Sequence, residues 1–405
     1  MSMVFLLLAL GPGFITANAD NDAGGIYTYS LAGARFGYSL LWTLIPMAIA
    51  LSIAQEMCAR MAVVSGKGLS GLIREQYGLR VAFLLMTAVV LLDFGNIVAE
   101  FAGVGSGTEL FGINKFISIP IAAALVWVLV VFGNYKRTEQ IFLFASFLYI
   151  AYIATAILAK PDWHLALSMT VHPPSFSDLK SRSYLYMAVG IIGATVAPWQ
   201  QFYLQASVVD KGLDQRALKL SQFDAIVGSI FSVLIAGFII IAAAATLFAQ
   251  GHHDVSTAAD AAQALRPLAG GYAFSLFALG LVNASLFAAT ILPLSTAYTV
   301  CEALGLESGL DKKFREAPGF YWLYTLLLGG GALLVLFPRF PFVAVAILSQ
   351  VLNGFEIPLV LMFMLLLASN REVMREHANS RAYNLVAWAI AAIMTVFALA
   401  MVFAS

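Results

Sequence analysis

Two carboxylates, Asp20 and Asp22, stand two residues apart in the stretch FITANADNDAGGIYTYS (Phe14 to Ser30), beside the amides Asn18 and Asn21 and the glycine pair Gly24–Gly25. The flanking residues are apolar enough to lie in a bilayer, where an ionised carboxylate costs at least ~2.5 kcal/mol. Three kinds of partner would offset that cost: a basic side chain, a helix N-terminus, or a bound cation. No Lys or Arg occurs in the first, third, sixth or tenth apolar runs away from their ends, which disfavours an internal salt bridge. Asp22 could N-cap a half-helix beginning at Ala23. A cation is the preferred partner. In a regular helix Asp20 and Asp22 point about 200° apart, so both reach one ion only if the backbone between them is unwound. Asn18 and Asp22, four apart, share a face without unwinding.

Other polar groups fall at helical spacing in later apolar runs. LLDFGNIVAE places Asp93, Asn96 and Glu100 on one stripe, and LSQVLNGFEIP places Gln350 and Asn353 three apart. Buried amides often serve as interhelical glue, the preferred reading for Asn96 and Asn353. Asp93 and Glu100 are ionisable and are candidates for an ion path.

The elements that must position these groups are membrane helices. The 405 residues are 61% hydrophobic and only 11% charged, far from the roughly one-quarter charged content of soluble domains. Runs long enough to cross a ~30 Å hydrocarbon layer as helices fall at 8–34, 40–65, 81–107, 116–134, 139–159, 184–208, 219–250, 270–302, 320–337, 341–369 and 382–404. With the N-terminus in the cytoplasm, fifteen of the 22 Lys and Arg residues fall in inner loops and span ends, as positive charge should. An eleventh span then puts the C-terminus outside. Zero net charge gives no reason to expect a nucleic-acid partner. The opening MSMVFLLLAL lacks a basic n-region and an A-x-A site and is read as part of the first span.

Cys58 and Cys301 fall near inner helix ends and are expected to pack as small apolar groups. His164, His172, His252 and His253 fall in the longest loops, 160–183 and 251–269, where solvated histidines are expected rather than metal ligands. The sequence contains no H-E-x-x-H or G-x-S-x-G motif. An intramembrane aspartyl hydrolase built from Asp20, Asp22 or Asp93 is the enzyme alternative, and a resident cofactor is not expected.

The first span is interrupted at DNDAGG and the sixth at TVAPWQQ (Thr195 to Gln201). Glycine pairs and prolines inside a span free backbone groups. Ordinary kinks are the plain alternative. Two breaks in corresponding positions of two five-helix halves point instead to an inverted-repeat transporter with a midplane site. The whole chain, 1–405, then forms one transmembrane domain. It comprises a first repeat over 8–159, an inverted second repeat over 184–369, and a peripheral eleventh helix over 382–404. Amino-acid carriers share this design but grip a substrate carboxylate with helix N-termini. An acidic break repels such a substrate and favours cations.

The sequence resembles the Nramp family of divalent-metal transporters. The resemblance rests on GPGFITAN and LAGARFGYSLLW around the first break and on SIAQEMCARMAVVSGKGLS, AEFAGVGSGTELFG, GIIGATVAPWQQFYLQAS and ILSQVLNGFEIPLVLM in the second, third, sixth and tenth spans. It covers nearly the whole chain and implies a LeuT-like fold with helices 1 and 6 broken. Where the family reads Asp-Pro-Gly-Asn, this chain has Asp22, Ala23, Gly24 and Gly25. Where it reads Met-Pro-His-Asn, the chain has Ala197, Pro198, Trp199 and Gln200. The resemblance implies that Asp22 is kept as the metal-binding carboxylate, that Gly25 and Ala197 replace the amide and thioether ligands, and that the carbonyls of Ala19 and Ala194 with the Gln350 side chain complete the site.

A thioether favours later transition metals. Its absence, and a wider cavity from the two lost side chains, suit a largely hydrated Mg²⁺, which sheds water reluctantly. The chain therefore resembles the Nramp-related magnesium transporter branch more than the manganese and iron importers. The family's acid three before the third-span glutamate is Ile97 here, and its sixth-span histidine is Trp199. Glu100 is left without a relay, so uniport is expected, unless Asp93 substitutes for the missing acid. Asp20, Asp93, Asn96, Glu100, Trp199 and Gln200 are the expected ion path, Mn²⁺ is expected to permeate as well, and a proton-coupled Mn²⁺/Fe²⁺ importer using a donor such as Met187 is the alternative. The partners expected are the cation and the lipid bilayer.

Overall fold

A computed structural model describes residues 11–133, 140, 141, 144, 149–175, 177–265 and 273–403. The opening MSMVFLLLAL, Lys136, Arg137 and Arg266, and most of 139–149, lie outside the described residues. The first span is interrupted at the expected place and consists of two half-helices, α1 (Pro12–Ala19) and α2 (Ala23–Phe36). Pro12 stands at the first helical position of α1, where its missing N–H costs nothing. The chain leaves the helix over Asp20 to Asp22, and Asp22 in extended backbone (φ −77, ψ −171) starts α2.

The second and third spans are α3 (Leu44–Ser65) and α4 (Leu69–Glu109). The latter begins earlier than the expected 81–107 because it is two segments joined at Gly78 (φ 84, ψ 165). Then come α5 (Lys115–Val131), α6 (Ile150–Leu158) as the described end of the fifth span, and α7 (Trp163–Val171), a short helix inside the expected 160–183 loop. The sixth span is again two half-helices, α8 (Arg182–Thr195) and α9 (Pro198–Asp210). Next come α10 (Leu218–Thr246), α11 (Ala258–Ala262) within the expected 251–269 loop, α12 (Ala273–Leu304), α13 (Pro318–Val335), α14 (Phe342–Ser369), α15 (Arg371–Met374) and α16 (Arg381–Phe403). Among the described residues seven helices are by themselves long and apolar enough to cross a membrane.

The packing is reciprocal between the two halves. The broken first span lies along α10, the second helix of the later half, while α9 of the broken sixth span lies along α3, the second helix of the earlier half. Units related by a two-fold axis in the membrane plane must show this exchange. The third and eighth spans, α4 and α12, share the most extensive seam, and α14 covers α4, α2 and α8. At the α8–α14 crossing a Cβ on Gly193 would fall on the Gln350 carbonyl. Only glycine lets α14 approach closely enough to present Gln350 to the breaks. The last helix, α16, lies outside on α14 and α8 and exposes Leu385, Val396 and Phe403, as a lipid-facing peripheral span should. Cys58 and Cys301 are both buried, as expected of thiols packed as apolar groups.

Candidate functional site

The two breaks face one another across the centre of the helix bundle. At the first, the Asp22 carboxylate accepts the Gly25 N–H at 2.7 Å, so the capping alternative holds for this side chain. The same Oδ1 takes a long bond from Gln350 Nε2, 3.4 Å. A Cβ on Gly25 would lie 2.7 Å from the Asp20 carbonyl oxygen; glycine therefore lets the unwound segment fold back onto the first turn of α2. Glu100 enters from α4, where its Oε2 accepts the Ala23 N–H at 3.3 Å. Two carboxylates, Asp22 and Glu100, thus converge on the N-terminus of α2.

Asp20 is placed differently. It caps nothing, and neither of its buried oxygens has a hydrogen-bond partner. The Gln200 side chain and the Ala197 N–H of the other break lie beside it, and neither is hydrogen-bonded to it. Ala197 precedes α9 in extended backbone (φ −66, ψ 140) and supplies no side-chain cap. Asp20 therefore faces the partially positive N-terminus of α9 without being tied to it.

The remaining expected residues gather at the same level. Tyr29 on α2 donates its hydroxyl to the Ala194 carbonyl at 2.6 Å and lies 3.1 Å from Thr195 Oγ1. The carbonyl expected as a metal ligand thus accepts a protein hydrogen bond in this arrangement, which brings Tyr29 into the site. Ala19 closes α1. Gln200 accepts from Gln55 Nε2 at 2.7 Å. Trp199 occupies the expected histidine position, fully buried, with its indole N–H unpartnered. The wider cavity expected from the small residues at 25 and 197 does not occur in this arrangement: Asp20, Asp22, Ala194, Ala197 and Gln350 are each at most 1% exposed, and the Asp20 carbonyl and the Tyr29 ring crowd Gly25. Met187 is not brought near. It lies nine residues before Val196 in α8, roughly 13 Å up the helix at 1.5 Å per residue. Among the described residues no group of three His, Cys, Asp or Glu side chains is arranged to hold a metal.

Asn96 and Asn353 behave as the glue expected of them, exchanging reciprocal amide bonds of 3.0 and 3.3 Å between α4 and α14. Asn353 also donates to Gln350 Oε1 at 3.1 Å, so the lock connects through Gln350 to Asp22. Asp93 sits one turn away, its Oδ2 accepting from Thr296 of α12 at 3.0 Å.

Two closures flank the centre. On one side Tyr27 of α2 meets Ser106 of α4 at 2.7 Å, and Ser106 also lines a cavity of about 370 Å³ with Glu109, Thr257, Phe340 and Phe342. Beside that cavity, burial raises the Asp260 carboxyl, but bonds from Thr257 and Ser256 outweigh it and hold the group below its ordinary range. On the other side Asp224 of α10 accepts the N–H groups of Gly11, Gly13 and Phe14 at 2.8, 2.7 and 3.1 Å, capping α1 from another helix. Asp224 and Glu356 were missed from sequence, although each is a lone acid in an apolar run (QFDAIVG, NGFEIP).

Comparison with known proteins agrees with this architecture. A family model described as natural resistance-associated macrophage protein-like, Nramp, matches residues 13–404. The divalent metal cation transporter MntH of Ralstonia nicotianae is 30% identical over 96% of this chain and 89% of its own length. The MntH of Deinococcus radiodurans is 28% identical over 96% and 88%. Among solved structures, the manganese transporter of Eremococcus coleocola superposes with a TM-score of 0.76 at 21% identity, covering 98% of this chain and 87% of that one. Mhp1, a nucleobase-cation-symport-1 transporter in a closed conformation, superposes with a TM-score of 0.60 at 16% identity, covering 98% and 90%. These relatives are transporters rather than enzymes. Matched along nearly its whole length and folded on the same broken-helix plan, this chain is a multi-pass integral membrane protein that belongs to the Nramp family of transporters.

Proposed function

We propose that this protein moves divalent metal cations across the membrane by alternating access, with Mg²⁺ as a largely hydrated ion its main substrate, Mn²⁺ also permeating, and no proton coupled. The divalent-cation class follows from the family and from relatives named for that activity. The observation that carries the finer reading is the donor set: the breaks offer the carboxylates of Asp20 and Asp22, the Gln350 amide and backbone carbonyls, with Ala197 and Trp199 where a thioether and an imidazole would stand. Oxygen donors without a soft ligand do not select later transition metals. Mg²⁺ keeps several waters, and six waters at about 30 Å³ each fit the 370 Å³ vestibule before Tyr27 and Ser106 part. No histidine lies in any span, so the side chain that titrates near neutral pH is missing from the path.

In this reading Asp22 and Asp20 flank the ion, Glu100 and Gln350 line its approach, and the Ala19 and Ala194 carbonyls join once Tyr29 releases the latter. The repeats run over 8–159 and 184–369, with the N-terminus cytoplasmic and the C-terminus outside. The test is paired Mg²⁺ and Mn²⁺ flux into proteoliposomes carrying an internal pH dye. Mg²⁺ uptake is expected with no change in luminal pH, and Asp22→Ala is expected to abolish it while the protein still folds. Uptake that survives this substitution counts against the site. The second reading, a proton-coupled Mn²⁺/Fe²⁺ importer, draws on the relative named as a manganese transporter. Mn²⁺ uptake indifferent to excess Mg²⁺, with luminal acidification, would establish it instead.

A further inference from the structure

The reciprocal pair Asn96–Asn353 fixes the register of α4 against α14. The two helices run antiparallel, so three residues back along α4 and three forward along α14 lead in the same direction, away from the breaks. Those positions are Asp93 and Glu356. Both lie on the stripes that carry the amides, about one turn beyond the lock and roughly 10 Å from the level of Glu100 and Gln350 at 1.5 Å per residue. The direction is toward the end of the bundle that carries the 66–68 turn and Asn370.

Asp93 is 1% exposed and Glu356 5%. The Asp93 Oδ1 and both Glu356 oxygens have no hydrogen-bond partner, while Asp93 Oδ2 receives the Thr296 hydroxyl from α12. Neither α12 nor α14 contains a Lys or Arg, and α4 has none after Arg80. Buried carboxylate oxygens are ordinarily paired, as those of Asp224 are.

We propose that Asp93 and Glu356, with the Thr296 hydroxyl, form a second station for a divalent cation on the route out of the central site, separated from it by the Asn96–Asn353 lock. Two carboxylates balance a dication, and a donor set of two acids and one hydroxyl is completed by the ion's own water. The inference rests on the transport reading above, and binding is measured separately from flux so that the two fail differently.

The experiment counts Mn²⁺ bound to the purified full-length protein by the loss of the free-ion electron paramagnetic resonance signal. Two ions per chain are expected in the wild type, and one in each of Glu356→Gln, Asp93→Asn and Asp22→Asn. In liposomes Glu356→Gln is expected to slow Mg²⁺ flux about tenfold while the remaining Mn²⁺ stays bound. Should the variants fold poorly, Mn²⁺ anomalous scattering from wild-type crystals replaces them, with a peak expected between Asp93 and Glu356. A single ion per chain, a peak only at the Asp20–Asp22 break, or luminal acidification that Glu356→Gln removes would each overturn the proposal. Two ions bound with no flux at all would instead reject the transport reading and leave the station standing.

Discussion

The two breaks differ in where their charge comes from. The first supplies its own cap: Asp22 holds the N-terminus of α2 through Gly25 N–H, and Asp20 two residues earlier keeps both oxygens free. The sixth supplies none; Ala197 leaves the N-terminus of α9 without a side-chain cap, and Asp20 from the opposite break lies beside it. One segment thus carries the negative charge for two helix ends. A helix N-terminus attracts an anion with about half a unit charge, enough to orient Asp20 and too little to neutralise it. In the proposed function a cation placed between the breaks would complete the neutralisation.

Separating the two acids gives the largest expected effect. Asp20→Asn removes the carboxylate that has no other task, and losing one partner of a buried charge interaction costs about 2–5 kcal/mol. Mg²⁺ affinity, read by isothermal titration, should fall about 100-fold, with thermal stability unchanged or raised. A variant binding as tightly as wild type would show that the free carboxylate of the first break is not an ion ligand.

Asp22→Ser divides the double task of the other acid. Serine is a good N-cap, so melting should stay within about 0.5 kcal/mol of wild type while uptake is lost. If Asp22→Ala loses about 1 kcal/mol of stability more than Asp22→Ser, the capping role is established independently of transport.

Giving the sixth break the donor it lacks works in the opposite direction. Ala197→Met adds a soft ligand at a fully buried position, at an overpacking cost of about 1–3 kcal/mol. Competition flux should show Cd²⁺ or Mn²⁺ gaining on Mg²⁺ by about tenfold. An unchanged ratio would mean that position 197 does not face the ion.

The smallest change is Tyr29→Phe, which frees the Ala194 carbonyl from its 2.6 Å bond. One buried hydrogen bond is worth about 1 kcal/mol, so a fall of a few degrees in melting temperature and a change in apparent Mg²⁺ affinity of under tenfold are expected.

Much of this was legible in the sequence because each signal was local. Glycine and proline breaks, a lone acid in an apolar run and amides at helical spacing are set by the chain itself, and so the broken first and sixth spans and the Asn96–Asn353 pairing were foreseeable. Asp22 was foreseeable as cap or ligand but not as which, since the two readings differ only in where Gly25 and Gln350 end up. Tyr29 gave no signal, because its partner Ala194 lies 165 residues away. The expected wide cavity failed for a related reason: a missing side chain leaves space only if neighbours do not move in, and here the Asp20 carbonyl and the Tyr29 ring do.

The sequence by itself determined that this is a membrane protein of about eleven spans, with two interrupted helices and an uncompensated acidic centre, because hydrophobic length, helix breaking and charge are properties of short segments. Tertiary structure alone decided which carboxylate is tied down and which is free, and that Asp93 and Glu356 share one layer. Those outcomes depend on the register between helices far apart in the chain, set by close crossings such as Gly193 against Gln350 and by amide locks that no single segment encodes.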